Sequence, residues 1–295
     1  MPLSPVQYLD RYHSMFICDA RLAMLGYANI TKYISGEPAS GVAERRALMR
    51  SVAKALTGSS SGVVKNLFSF PAGHGFDPGE EFCKAAVRRA YTGRGSPHEM
   101  IDAVRLAVAF GRVTHPVSSS AYAQKWFGSD CNAFAGNWLG ISPSVAIFAY
   151  FLGYGSGSIP GATASVYASR DWLPLRPIGS VAEIRQGNVV VTYGLPRGNK
   201  RHKHIALVER CTPAGGGRHL LELAEWGVAG GRDAHHNTLN VKFETTWRHP
   251  QRKGTPLIAF EDTDKEGATH RFLLDHSTLS ALPYRGWEVC GQWGV

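Results

Sequence analysis

Cysteine is scarce in this chain. Five thiols, Cys18, Cys83, Cys131, Cys211 and Cys290, are scattered over 295 residues. A sparse, odd and widely spaced set does not make a disulfide scaffold. No CxxC pair offers a thiolate zinc site. Long apolar runs are missing too. The longest, Val145 to Leu152, falls far short of the ~20 residues that a bilayer span needs, and it runs into Gly153, Gly155 and Gly157. The first residues, Met1-Pro2-Leu3-Ser4-Pro5, have neither the basic region nor the apolar core of a secretory signal. The expectation is a chain made in the cytoplasm, without a signal peptide and without a membrane span. Concentrated charge is also lacking. Lys and Arg number 32 against 23 Asp and Glu, a net charge of +9, but the excess is spread over both halves. A nucleic-acid binder gathers such charge on one face or tail, so no nucleic-acid partner is expected. The densest basic stretch, Arg197, Lys200, Arg201 and Lys203, reads as a solvated loop.

What is present is globular. Hydrophobic residues make up 44% and charged residues 19%, which excludes wholesale disorder. Residues 5–112 read mostly helical. Ala43 to Leu56 has apolar residues at helical spacing and stops at Gly58. Ser96-Pro97-His98-Glu99 is a capping box with proline at the first helical position, and it opens a helix to about Phe110. Pro71 to Pro78 is a Gly/Pro-rich connection. A Pro and a Ser triplet near His115 to Ser120 suggest a boundary, with a helical N-terminal region over 1–115 and a second domain over 116–295. In that second part a short apolar helix follows Cys131, then a Gly/Ser-rich loop, Gly153 to Gly161. Strand-like runs come next: Asn188 to Tyr193, Lys203 to Glu209, His219 to Trp226, Thr238 to Thr245 and Pro256 to Phe260. Helices followed by a strand meander predict an α+β fold.

Cys131 is the candidate nucleophile. The turn signal Gly128-Ser129-Asp130 precedes it and an apolar helical segment follows, so the thiol stands at a helix N-terminus. There the macrodipole and the unpaired amides favour negative charge on a thiol and can bind an oxyanion. Asp130 is also a natural N-cap. Cys18 and Cys83 fall in helical patterns and read as core. Cys211 follows a strand into a Gly-rich turn, and Cys290 lies in a C-terminal apolar segment. A thiolate needs a base held in one orientation. His204 is the candidate, at the start of a strand with His202 on the same face. The two could also ligate a metal, but no cysteine or nearby acidic cluster completes such a site. The third partner should come from Leu220 to Trp226, which carries two acids on opposite faces. Glu225, beside Trp226, is the first choice and Glu222 the second, because a carboxylate there would hold the imidazole tautomer. The segment after Gly230, with His235, His236 and His249, carries no assignment, and the adjacent pair His235-His236 reads as surface-loop decoration and not as metal ligands.

In this order the pieces resemble the NlpC/P60 and CHAP cysteine peptidase superfamily. Asp130-Cys131-Asn132-Ala133-Phe134 is similar to its cysteine motif. Ile184 to Val191 resembles its strand opened by Pro-Gly-Asp, with Asn188 where Asp is usual. His204 to Glu209 resembles its histidine strand, and Leu221 to Trp226 the strand after it. Tyr122 stands roughly where the family has a tyrosine near the nucleophile. The resemblance covers residues 120–230, and the Gly/Ser-rich loop makes the Cys131–His204 stretch longer than usual.

The resemblance implies a papain-like NlpC/P60-type domain, with the nucleophile helix packed on an antiparallel sheet. It implies a cysteine amidase or endopeptidase that hydrolyses peptidoglycan stem peptides through Cys131, His204 and Glu225, with Tyr122 and Asp130 in support and no metal or cofactor. A positive field suits an anionic envelope polymer. An enzyme for peptidoglycan that lacks a signal peptide must be delivered otherwise. The expectation is an antibacterial toxin, a type VI secretion effector injected into the periplasm of a target cell, with an immunity protein and the secretion machinery as partners. The alternative is a protease, deamidase or acyltransferase toxin of the same fold acting on a cytosolic protein. A non-enzymatic binding module is the third reading.

Overall fold

The computed structural model describes residues 3–19, 24–34, 37–114, 116–138, 175–193, 205–227, 234–246, 256, 258–263 and 269–277. The described residues belong to two compact units, one of residues 10–133 and one of residues 3–9 with 134–277. The chain is α+β and every named strand pairing is antiparallel.

The unit of residues 10–133 is built on helices with two small hairpins. The helix α1 (Pro5–His13) leads into it. Strands β1 (Met15–Asp19) and β2 (Met24–Ala28) form the first hairpin, α2 (Ala39–Thr57) follows, and β3 (Leu67–Ser69) and β4 (Glu81–Cys83) form the second. Helices α3 (Lys84–Tyr91), α4 (Pro97–Ala109) and α5 (Pro116–Trp126) come next, and α6 (Cys131–Trp138) leads out. The local signals hold where they are strongest. Gly58 closes α2 in the left-handed region at φ 76°, a conformation that glycine adopts without penalty. Ser96 and Glu99 form the reciprocal capping box at the start of α4.

The hairpins correct the helical reading of 5–112. Met15 and Ile17 are buried while Phe16 between them is exposed. That period of two is a strand pattern, and Phe16 pairs across the hairpin with Tyr27. Cys18 therefore lies in β1 and Cys83 ends β4. Phe70, just before the Gly/Pro-rich connection, and Phe76 within it pack with Phe82 of β4. Arg105 stacks its guanidinium over Phe76 and Phe82 at 5.7 and 5.9 Å and pairs with Glu80.

The other unit is one antiparallel sheet. Its strands are β5 (Leu175–Pro177), β6 (Val189–Tyr193), β7 (Ile205–Gly215), β8 (Arg218–Trp226), β9 (Ala234–Val241), β10 (Ala259–Thr263) and β11 (Thr269–Ser277). The order is β10-β11-β6-β7-β8-β9, and β5 pairs with β11. Ile178, Val190, Ala206, Val208, Leu221, Leu223, Val241, Ile258 and Phe260 form its core. Strand β9 begins four positions before the expected Thr238, so His235 and His236 are strand residues and not loop decoration. Helix α6 contributes Phe134, whose ring lies 6.3 Å from that of Trp226 in β8 and 5.9 Å from that of Tyr8.

The family-like segments before and on β7 have structural tasks in this sheet. The Oδ1 of Asn188 accepts the amide of Arg185 at 2.5 Å, closing a turn in which Gly187 has φ 82°. The Gly187 amide donates to the Val208 carbonyl at 2.7 Å and the Val208 amide to the Asn188 carbonyl at 2.8 Å, which joins the turn to β7. Glu209 accepts the Val6 amide in the first turn of α1 at 2.9 Å. A carboxylate there satisfies an orphan amide and faces the positive end of the helix. Among the described residues, no helix is long and apolar enough to cross a membrane.

Asp102 of α4 is a buried carboxyl whose Oδ1 has no hydrogen-bond partner. Burial holds its pKa well above the ordinary 3.8, against the opposing pull of Arg105. The folded chain thus keeps a proton that the unfolded chain releases. Its contribution to stability is present at low pH and is lost as pH rises through the raised value. Asp102→Asn is expected to stabilise the protein at pH 8 by about 1–3 kcal/mol and to give little gain at pH 4, as read from urea unfolding at the two pH values.

Candidate functional site

Cys131 is the first residue of α6, as the sequence predicts. Its place is set by the three residues before it. Ile34 donates its amide to the Ser129 carbonyl at 3.0 Å, and Ser129 donates to the Lys32 carbonyl at 3.2 Å. Tyr33 and Ser129 thus form a parallel bridge. A Cβ on Gly128 would fall 2.3 Å from the Lys32 carbonyl oxygen, so this approach requires glycine.

Asp130 is buried and its carboxylate has two tasks. Oδ1 accepts the Ala133 amide at 2.7 Å, which is the N-cap bond of α6. The Arg94 guanidinium reaches Oδ2 at 3.1 Å and Oδ1 at 3.4 Å. The Asp130 amide donates to the Gly93 carbonyl at 3.3 Å. Gly93 itself has φ 73°, and a Cβ there would lie 2.0 Å from the Ile34 carbonyl oxygen. The Gly93–Arg94 turn, the 32–34 segment and the 128–130 turn are therefore one seat, and Cys131 stands on it. The cysteine is 4% exposed.

Tyr33 is a neighbour of that thiol which the sequence reading missed. Burial raises its phenol pKa to about 12, with the adjacent Cys131 the next cause and Asp130 after it, while Arg94 pulls the other way. Tyr33 consequently keeps its proton at neutral pH. Tyr122 is placed differently. Its hydroxyl meets that of Tyr91 at 2.5 Å and donates to Glu44 at 3.0 Å. Arg112 also binds Glu44, with Nε at 2.8 Å. That bond, above all, holds the Glu44 carboxyl below its ordinary range, with the Tyr122 bond adding to it against the effect of burial. Burial pushes both phenols up. Tyr122 thus belongs to a network that ties α2, α3 and α5 together.

Glu225 lies in β8, opposite Ala206 on one side and His235 on the other. Its side chain is 4% exposed, and its Oε1 is 2.8 Å from His235 Nε2 and 2.9 Å from Asn237 Nδ2. Glu222 meets other partners: it pairs with the largely exposed Arg210, whose Nε is 2.9 Å away. Of the two acids considered from sequence, Glu225 is the buried one. His204 and His202 lie outside the described residues, as do Cys290, His249, the Gly/Ser-rich loop and the basic stretch Arg197 to Lys203. Cys83, Cys131 and Cys211 are free thiols. Among the described residues no three His, Cys, Asp or Glu side chains are grouped to hold a metal ion.

Arg94 and Tyr33 carry no local sequence signal, because they meet the Asp130–Cys131 turn from far along the chain. His235 and Asn237 have one, the spacing of two within a strand, which a strand beginning at Thr238 hides. The Asp130–Arg94 pair makes a stability prediction. Arg94→Ala is expected to cost about 1–3 kcal/mol, less than the ~3–5 kcal/mol of a fully buried broken pair because Arg94 is 31% exposed. Adding Asp130→Asn should recover part of that loss, since no uncompensated buried charge then remains. Urea unfolding of the two single variants and the double variant measures the coupling. Compared with protein-family models, with curated proteins and with solved structures, the chain matches none.

Proposed function

We propose that the protein is a cysteine hydrolase of the NlpC/P60–CHAP type that cleaves an amide bond in peptidoglycan stem peptides. The observation that carries this reading is the seat of Cys131, a cysteine that opens a helix behind a buried, Arg94-clamped aspartate. A residue whose task is only to fill a core needs no such seat. A nucleophile does, because its sulfur must meet a carbonyl carbon in one geometry.

In this reading His204 takes the thiol proton and the sulfur adds to the scissile carbonyl. The oxyanion is met by amides at the start of α6. His204 then gives its proton to the departing amine, the C–N bond breaks, and a thioester remains on Cys131. Water, deprotonated by the same imidazole, releases the acid and the free thiol. Glu225 holds the imidazole tautomer and stabilises the imidazolium. Tyr33, which stays protonated beside the sulfur, is a hydroxyl donor for substrate or oxyanion. The chemistry uses no metal or cofactor. As an antibacterial toxin the enzyme would be injected into the periplasm of a target cell, and its producer would carry an immunity protein.

Incubation with purified sacculi, followed by chromatography of the muropeptides, tests the activity. The wild-type protein is expected to release cleaved stem peptides, and Cys131→Ala and His204→Ala to lose at least about a thousandfold in rate. Unchanged muropeptides with the wild-type protein would refute the substrate. Toxicity in the cytosol alone, and not in the periplasm, would then point to a cytosolic protein target. Iodoacetamide labelling near neutral pH is a second check. Cys131 is expected to react faster than Cys83 and Cys211; an equal or slower rate speaks against a nucleophile.

A further inference from the structure

We propose that His235 and Asn237 of β9 are positioning residues, which aim the Glu225 carboxylate at the base of the hydrolase. The inference rests on the function proposed above and adds a third strand to its machinery. The antiparallel register pairs Glu225 of β8 directly with His235. Asn237 lies two residues further along β9 and so on the same face. Both reach the same oxygen: Oε1 of Glu225 is 2.8 Å from His235 Nε2 and 2.9 Å from Asn237 Nδ2.

A carboxylate with 4% of its side chain exposed is stable only with charge-assisted or strong hydrogen bonds. Two donors on one oxygen also do something that a single donor does not. They stop the carboxylate from turning about its last torsion, which is otherwise broad. The direction of Oε2 is then set, and in the function proposed above Oε2 is the oxygen left to hold the imidazole tautomer of the base. His235 donates from Nε2 whether its ring is neutral or protonated, provided the neutral tautomer carries its proton there. Glu222, three residues earlier, shows the contrast. Its register partner is Thr238, and its ion pair is with Arg210, a side chain 64% exposed. Arg210 places both of its bonds on Oε1, and His236 Nε2 stands 3.6 Å from Oε2, but these partners are open to water, which weakens their hold.

The experiment is the rate of Cys131 alkylation by iodoacetamide in the full chain, followed by mass spectrometry, with the thermal midpoint recorded for each variant. His204→Ala and Glu225→Gln establish the dependence of the sulfur on its base. His235→Leu and Asn237→Leu are each expected to slow alkylation about tenfold, with midpoints that do not track the loss. His235→Gln, which returns an N–H donor, should restore the rate to within about threefold of wild type. His235→Asn is polar but too short to reach, and it should stay slow even if His235→Leu fails to fold. Wild-type rates in His235→Asn and Asn237→Leu, with His204→Ala slow, would overturn the proposal and leave the hydrolase reading intact. A wild-type rate in His204→Ala would instead overturn that reading and this inference with it.

Discussion

A buried aspartate bound at both of its oxygens is the constraint on which the candidate nucleophile depends. Asp130 gives one oxygen to the Ala133 amide, and its carboxylate receives the Arg94 guanidinium. Either bond alone would be ordinary. Together they join a helix cap to an ion pair, so the start of α6 cannot shift without uncoupling a buried charge. The backbone adds its own restraint. The Asp130 amide is held by the Gly93 carbonyl, and Gly93 has no room for a Cβ against Ile34. The residues before Cys131 are thereby fixed by segments that precede them by ~40–100 residues in the chain. A region from which the sequence reading drew no site residue supplies the seat of Cys131.

Legibility in the sequence follows the range of the interactions. The capping box of α4 and the glycine stop of α2 were readable because each is settled within a few residues. So was the Cys131 helix start with Asp130 as its cap. The central strands β6, β7 and β8 were readable from their apolar runs, since buried strands are continuous and hydrophobic. The hairpins β1–β2 and β3–β4 were not. They are three to five residues long within a helix-rich stretch, and short alternations are easily absorbed into a helical pattern. Strands β5 and β11 exist only through pairing with each other and, for β11, with β6 and β10. Arg94 and Tyr33 were invisible for the same reason, while His235 and Asn237 were hidden by the later start expected for β9. Their significance lies in whom they meet, and register and tertiary approach decide that.

The register of β7, β8 and β9 also explains why two similar glutamates have different surroundings. Glu222 and Glu225 are an odd number of residues apart on one strand, so they face opposite sides. On one side β7 offers Arg210, which is reachable by water, and the outcome is a surface ion pair. On the other, β9 offers an imidazole and an amide to a carboxylate closed off from solvent. A shift of one residue in either pairing would exchange these faces. The bulge in the β7–β8 pairing between Val208 and Arg210 lies between the Ala206–Glu225 and Arg210–Glu222 pairs. It lets one pair of strands carry both arrangements.

Two tyrosines divide what a single position was expected to do. Tyr122 has the sequence position of a nucleophile-side tyrosine, but its hydroxyl is committed to Glu44 and Tyr91. With Arg112 on the same carboxylate, that network closes a charge, its counter-charge and two phenols into one hydrogen-bonded unit. Such a unit ranks high among the costs of replacing any member, because each leaves a polar partner unsatisfied. Tyr33 is the tyrosine next to Cys131. It sits on the segment that bridges to Ser129, and its phenol feels Cys131 and Asp130 together. Position along the chain therefore separates from position in the fold. The residue that resembles a site member stiffens the helices, and the one beside the sulfur arrives from a strand-like segment near the N-terminus.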